Sequence, residues 1–299
     1  MTPELLPPQP YRFGLLGWPL GHSLSPQIHA AALAASGLSG TYHLFPIPPL
    51  PDGAGLLQEI IERFRRQELH GLNVTIPHKQ TILPLLDGLT DQAMAIGAVN
   101  LVYLEGQRLL GDNSDAPALL LDLQHCFSLQ NQVGTALVLG AGGAARAAVY
   151  ALLQAGWQVY VAARRVEAAQ RLVADLAPPA SVGGMDPLAS LPLGADALAK
   201  LPVCDLLINA TPVGMPPLAD STPWPDGVPF PAGVKIYDMV YNPAQTKLVR
   251  SARAGGHQAA NGLGMLVEQA ALSFERWTGS NAPRPAMLAA ATDSLDTIG

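Results

Sequence analysis

The chain has 299 residues, a net charge of -6, and 49% apolar against 13% charged residues. That length exceeds what one hydrophobic core commonly holds, so two domains are expected, and so apolar a composition excludes a disordered chain. The acidic balance leaves no basic excess to neutralise a phosphate backbone, which argues against a nucleic-acid partner.

Cys126 and Cys204 lie far apart and belong to no metal-spaced cluster, so both are read as small buried hydrophobes in a reduced compartment, and no metal is assigned. The opening MTPELLPPQP carries Glu4 and prolines in place of a basic flank and an apolar run, so it is not read as a signal peptide. The most apolar long stretch, residues 136–157, is broken by glycines and Arg146 and would make a poor membrane span. A soluble cytoplasmic protein, monomer or homodimer, is expected.

Residues 11–16 read as a first strand, ended by Gly17, Pro19 and Gly21. Ser25-Pro26 predicts a helix start, with Ser25 as N-cap and Pro26 at the first helical position, and the helix stops near Gly37. A strand at 41–46, a helix at 56–68 and a strand at 72–76 continue the alternation. A helix at 91–96 precedes a hairpin-like pair at 99–104 and 108–110. Asp115 takes an N-cap position for a helix running towards Phe127, with Pro117 in its first turn. Such alternation favours α/β layers. Beyond the unit described next, residues 178–201 give weak signals and read partly as loop, strands recur at 205–209 and 235–239, and helices close the chain at 264–278 and 285–292.

The clearest unit is a buried strand at 135–139, the turn Gly140-Ala141-Gly142-Gly143-Ala144-Ala145, a helix at 146–154 and a strand at 159–163. Gly140, Gly142 and Ala145 occupy the G-x-G-x-x-G/A positions of a dinucleotide-binding turn. The first glycine permits the tight turn, the second admits the pyrophosphate to the backbone, and the small third residue lets helix and strand pack. The helix N-terminus then offers free N–H groups to phosphate. About 20 residues on, where an NAD enzyme places an acid against the ribose, the chain has Ala162-Ala163-Arg164-Arg165. Two guanidinium groups suit a 2′-phosphate, so NADP is the expected cofactor; Glu167, the nearest acid, keeps NAD as the alternative.

Polar residues concentrate in four further segments: Gly21-His22-Ser23-Leu24-Ser25-Pro26, Asn73-Val74-Thr75-Ile76-Pro77-His78-Lys79, Ala98-Val99-Asn100 and Gly111-Asp112-Asn113-Ser114-Asp115. With the glycine turn and the run from Asn261-Gly262 to Ala271, this order of motifs resembles the shikimate dehydrogenase family over residues 13–279. The resemblance implies NADPH-dependent, reversible reduction of 3-dehydroshikimate to shikimate on the route to aromatic amino acids. It places Lys79 and Asp115 in the catalytic pair. Ser23, Ser25, Thr75, Asn100, Tyr241 and Gln269 would bind the substrate ring. Gly140, Ala141, Gly142, Gly143, Ala144, Arg164, Arg165, Gly262 and Met265 would bind the cofactor. Leu24 between the serines, and the arginine pair, also occur in the quinate/shikimate branch, so a dual enzyme using NAD or NADP is the alternative. A non-catalytic dinucleotide sensor is a third reading, against which Lys79 and Asp115 both speak.

The chemistry suits these types. Moving hydride onto a ketone builds negative charge on its oxygen, which a positioned proton donor relieves, while hydroxyl and amide groups recognise a polyhydroxylated acid. The expected architecture is a substrate-binding α/β domain at 1–114, a Rossmann-type NADP-binding domain at 115–261, and helices at 262–299 returning to the first domain, with the cleft between them.

Overall fold

The computed structural model describes residues 10–129, 132–178, 186–198 and 203–298. The proline-rich opening (1–9) and parts of the weakly patterned segment (179–185, 199–202) lie outside them. Two α/β domains, each on a six-stranded sheet, make up the chain.

The first sheet is mixed, in the order β2-β1-β3-β5-β6-β4. Its strands are β1 (Tyr11–Gly17), β2 (Gly40–Pro46), β3 (Gly71–Val74), β4 (Gly88–Leu89), β5 (Leu101–Glu105) and β6 (Arg108–Asp112). β1 pairs in parallel with β2 and β3 and β4 pairs in parallel with β6, whereas β5 runs antiparallel to both its neighbours, β3 and β6. The helices are α1 (Ser25–Ala35), α2 (Ala54–Arg65) and α3 (Asp91–Ile96). α1 ends where Gly37 takes φ +66, and Leu38 N–H returns to the Leu33 carbonyl, a left-handed helix stop that favours glycine. α3 is capped by the Thr90 hydroxyl, which accepts from Ala93 N–H.

α4 (Asp115–Phe127) leads into the second sheet, which is wholly parallel in the order β12-β11-β10-β7-β8-β9. Its elements are β7 (Thr135–Leu139), α5 (Gly143–Gln154), β8 (Gln158–Ala163), α6 (Val166–Leu176), β9 (Leu188–Pro192), α7 (Ala195–Leu198), β10 (Leu206–Asn209), β11 (Lys235–Asp238), α8 (Lys247–Ala254) and β12 (Ala259–Asn261). Counted from β7, this is the 3-2-1-4-5-6 order of a dinucleotide-binding sheet, with its switch point between β7 and β10. Continuous apolar strands such as Ala136 to Leu139 follow from burial on both faces.

α9 (Leu263–Thr278) and α10 (Arg284–Ile298) then return to the first sheet. Val267, Ala270 and Phe274 pack in one core with Phe13, Ile28 and Ala32, joined by Met287 and Ala291. α4 and α9 therefore run side by side where the two domains meet.

Three sequence expectations are corrected. Ser25 is the first residue of α1 and not its cap; Ser23 Oγ accepts the Ser25 N–H at 3.3 Å instead. Asp115 likewise begins α4, and Asn113 Oδ1 takes the amides of Asp115 and Ala116 at 3.1 and 3.2 Å. Cys126 is exposed, on the outer face of α4, while Cys204 is buried. α6, α8, β4 and β12 carry no sequence expectation, and β9 and α7 lie within the weakly patterned segment read partly as loop.

Candidate active site

Lys79 follows β3 on a turn whose neighbours are tied down. Thr75 N–H joins the Leu16 carbonyl at 2.8 Å, and His78 N–H joins the Thr75 carbonyl at 2.9 Å. The buried His78 ring contacts the Ile47 carbonyl at 2.8 Å and Thr81 Oγ1 at 3.0 Å. From this turn Lys79 Nζ reaches Asp115 Oδ2 at 2.5 Å. Asp115 is only 4% exposed. Its other oxygen accepts from Asn100 Nδ2 at 2.8 Å, so each oxygen of this buried carboxylate has a side-chain donor.

Asn100 is held in turn. Its Oδ1 accepts Ser114 N–H at 2.7 Å, and its second amide hydrogen goes to Ser114 Oγ at 3.0 Å. Asn73 Nδ2 donates to the Asn100 carbonyl at 3.2 Å and to Ser273 Oγ at 2.8 Å, while its Oδ1 accepts from Tyr42 OH at 2.9 Å. The result is a network from β2 through β3 to α9, converging on one carboxylate–ammonium pair. Fixing the carboxylate by a second donor leaves little reorganisation to be made during a proton transfer.

The glycine-rich turn closes the other side. Gly140 has φ +118, and a Cβ there would stand 3.0 Å from the Ala210 carbonyl at the switch point. Gly142 precedes α5, and a side chain there would enter open space. A Cβ on Gly143 would lie 2.9 Å from Cβ of Lys79, so the lysine stem rests directly on the turn. Among the described residues no side chain caps the first amides of α5 at the carboxyl end of β7, and the exposed Arg164 and Arg165 stand at the end of β8, where α6 starts. An open Cβ position, uncapped helix-start amides and two exposed guanidinium groups fit a dinucleotide carrying a 2′-phosphate.

Comparison with known proteins shows which family the chain belongs to. Residues 15–102 match the model of the shikimate dehydrogenase substrate binding domain, and residues 262–292 match that of the shikimate 5′-dehydrogenase C-terminal domain. A protein of Salinibacter ruber named shikimate dehydrogenase (NADP(+)) is 41% identical over 91% of this chain and 94% of its own. The chain belongs to the shikimate dehydrogenase family. A relative of the same name in Symbiobacterium thermophilum is 39% identical over 95% of this chain and 94% of its own. Among solved structures, the shikimate 5-dehydrogenase of Thermus thermophilus in complex with NADP(H) and shikimate superposes with a TM-score of 0.79 at 38% identity, covering 95% of this chain and 100% of that one.

Of the residues the family motifs single out, Lys79, Asp115 and Asn100 are brought into direct contact. Ser23 and Ser25 are linked to each other at the start of α1, and Thr75 lies beside Gly17 at the end of β1. Gln269 is half-buried on α9; its carbonyl accepts from Ser114 Oγ at 3.2 Å and its amide donates to the Leu266 carbonyl at 2.8 Å. Tyr241, from the loop after β11, packs against the α1 and α9 core, and burial raises its pKa. Gly262 backs onto Met239 with no room for a side chain, and the buried Met265 donates its N–H to Asp122 Oδ2 at 3.0 Å. Leu24 is fully buried in the α1 core.

Tyr42 and Ser273 were not anticipated, and Ser114, though within a motif, carried no assigned role. Ser273 follows Gln269 by four residues on α9, a helical spacing that would have put it on the same face.

Beneath the serines, His29 is fully buried and stacked on Tyr42 at 4.3 Å, and neither ring nitrogen has a hydrogen-bond partner among the described residues. Burial holds its pKa down from 6.5 to about 3. The unfolded chain therefore takes up a proton below 6.5 that the folded chain refuses, and the stability His29 contributes is lost as pH falls through that window. The expected loss between pH 6.5 and 5 is about 2 kcal/mol. Asp238, pushed up by burial from 3.8 to about 6, acts in the opposite sense over its own window. The difference in unfolding free energy between wild type and His29→Leu, followed against pH, isolates the histidine. Identical pH slopes for the two proteins would contradict this assignment.

Proposed function

We propose that this protein catalyses the reversible NADPH-dependent reduction of 3-dehydroshikimate to shikimate. The observation that carries the reading is the Lys79–Asp115 pair resting on the glycine-rich turn where the two domains meet. When bound, the nicotinamide supplies or accepts the hydride. Lys79 faces the ketone oxygen and passes it a proton as its charge grows; Asp115 holds the lysine and the reacting hydroxyl in register. Ser23 and Ser25 take the carboxylate, and Thr75, Asn100, Tyr241 and Gln269 take the ring hydroxyls. Gly140 to Ala144, with Gly262 and Met265, line the path of the cofactor, and Arg164 and Arg165 take its 2′-phosphate.

Residues 1–114 form the ring-binding part, 115–261 the nucleotide-binding part, and 262–299 bring Gln269 back to the ring. The pathway to aromatic amino acids places such an enzyme in the cytoplasm; among the described residues no helix is long and apolar enough to cross a membrane.

The test is kcat/KM for shikimate and for quinate, each with NADP and with NAD. The expected order puts shikimate with NADP first; equal efficiency on quinate, or with NAD, would move the protein to dual use. Arg164→Ser and Arg165→Ser are each expected to raise KM for NADP by ~10–100-fold, the worth of one charge-assisted contact, while leaving NAD use unchanged. An unchanged KM for NADP in both variants would remove the arginines from the site.

A further inference from the structure

Arg146 lies on α5, just beyond the glycine-rich turn, and is only 8% exposed although charged. Its guanidinium spans three helices. Nε donates to the Ile96 carbonyl at the end of α3 at 2.5 Å, and Nη1 meets Asp175 Oδ2 on α6 at 2.8 Å. Gly97, which ends α3 at φ +66, leaves room for it: a Cβ there would stand 2.6 Å from Nη2. Around it Ile96, Ala98, Ala116, Ala147 and Ala151 form a small apolar contact between the domains. A cation at the carboxyl end of α3 also meets the negative end of that helix.

The run from Ile96 to Asn100 has a second attachment. Ala98 carbonyl accepts from Asn113 Nδ2 at 2.9 Å, Val99 N–H donates to the Lys79 carbonyl at 2.8 Å, and the Asn100 amide holds Asp115 at 2.8 Å. One end of this run therefore grips the lysine backbone and the catalytic carboxylate, while the other is gripped by the helix that starts at the glycine turn. Asp175 in turn brings in α6, the helix whose N-cap is Arg165.

We propose that Arg146 is a positioning residue that sets the register between the Lys79–Asp115–Asn100 cluster and the nucleotide-binding helices, acting through residues 96–100. The inference rests on the function proposed above. A buried guanidinium with its carbonyl and carboxylate partners met is a rigid spacer, whereas the alanines beside it would let the helices slide. Each domain can hold its own ligand without Arg146; what Arg146 supplies is the distance between them.

The experiment compares Arg146→Ser and Arg146→Lys with wild type in three readouts. Binary affinities for NADP and for shikimate, measured separately by fluorescence titration, are expected to stay within about threefold. kcat is expected to fall by roughly 10–100-fold in Arg146→Ser, the effect of a displacement of about 1 Å between reacting groups, with partial recovery in Arg146→Lys, which can still reach one carbonyl. Gly97→Ala, which keeps the arginine but crowds it, should lower kcat in the same way. The third readout is a double-mutant cycle in unfolding. Gly97→Ala should destabilise wild type more than it destabilises Arg146→Ser, where only the backbone conformation remains to oppose the methyl group. Wild-type kcat in Arg146→Ser, equal losses in both binary affinities, or a cycle without coupling would each overturn the proposal. Failure of wild type to oxidise shikimate would instead sink the function, and the unfolding cycle would still decide the contact. Should Arg146→Ser not fold, Arg146→Lys and Gly97→Ala carry the same comparisons.

Discussion

Lys79→Ala is expected to lower kcat for shikimate oxidation by ~10²–10⁴-fold, the range for loss of a positioned proton-transfer group. A water molecule in the same place would lack both the charge and the fixed position. The lysine stem lies on Gly143, and its ammonium group is held 2.5 Å from a carboxylate that is itself locked by Asn100. In the variant Ser23, Ser25 and the glycine turn remain, so affinities for shikimate and NADP should change far less than kcat. Loss of the side chain also leaves Asp115 with the Asn100 amide as its remaining side-chain donor, so a thermal melt should accompany the kinetics. Full kcat in a folded Lys79→Ala protein would exclude the lysine from the chemistry.

Asp115→Asn is expected to lower kcat by at least ~10²-fold, for a reason that lies in donor arithmetic. The carboxylate accepts from two donors, Lys79 Nζ and Asn100 Nδ2. An amide has one oxygen and one NH₂, so either orientation turns one of these contacts into donor against donor. Asn100 cannot flip to relieve it without abandoning Ser114 N–H, which its Oδ1 now accepts at 2.7 Å. The lysine loses its partner or the asparagine does, and the pair falls out of register. The kinetic loss should therefore come with a lower melting temperature, by a few degrees for about 1 kcal/mol in a protein of this size. A stable Asp115→Asn enzyme with wild-type kcat would show that neither the charge nor the geometry at this position matters.

Much of this site was legible because its parts are local. The strand, glycine turn and helix around Gly140 to Ala145 carry their own pattern, since a tight turn, a close phosphate and a packed helix each require a small residue at a set spacing. The arginine pair stands out as a cofactor candidate for the same reason, being defined by its distance from that turn. The parts that were misread involve competition between neighbours. Ser25 beside Pro26 looks like a cap by local preference, yet Ser23 supplies the acceptor; Asn113 does the same in front of Asp115, freeing the carboxylate for Lys79. What stayed hidden is long-range. Asn73 meets Ser273 across 200 residues, and Arg146 meets Ile96 across 50, pairings that no window along the chain contains. α6 begins without a side-chain cap and β4 is two residues long, so neither announces itself.

The most direct test is to mix the purified protein with 3-dehydroshikimate and NADPH and follow nicotinamide absorbance. NADPH should be consumed in step with shikimate formation, with Lys79→Ala close to silent under the same conditions. Undiminished NADPH in the presence of 3-dehydroshikimate, from wild-type protein that binds both ligands, would contradict the assignment of function.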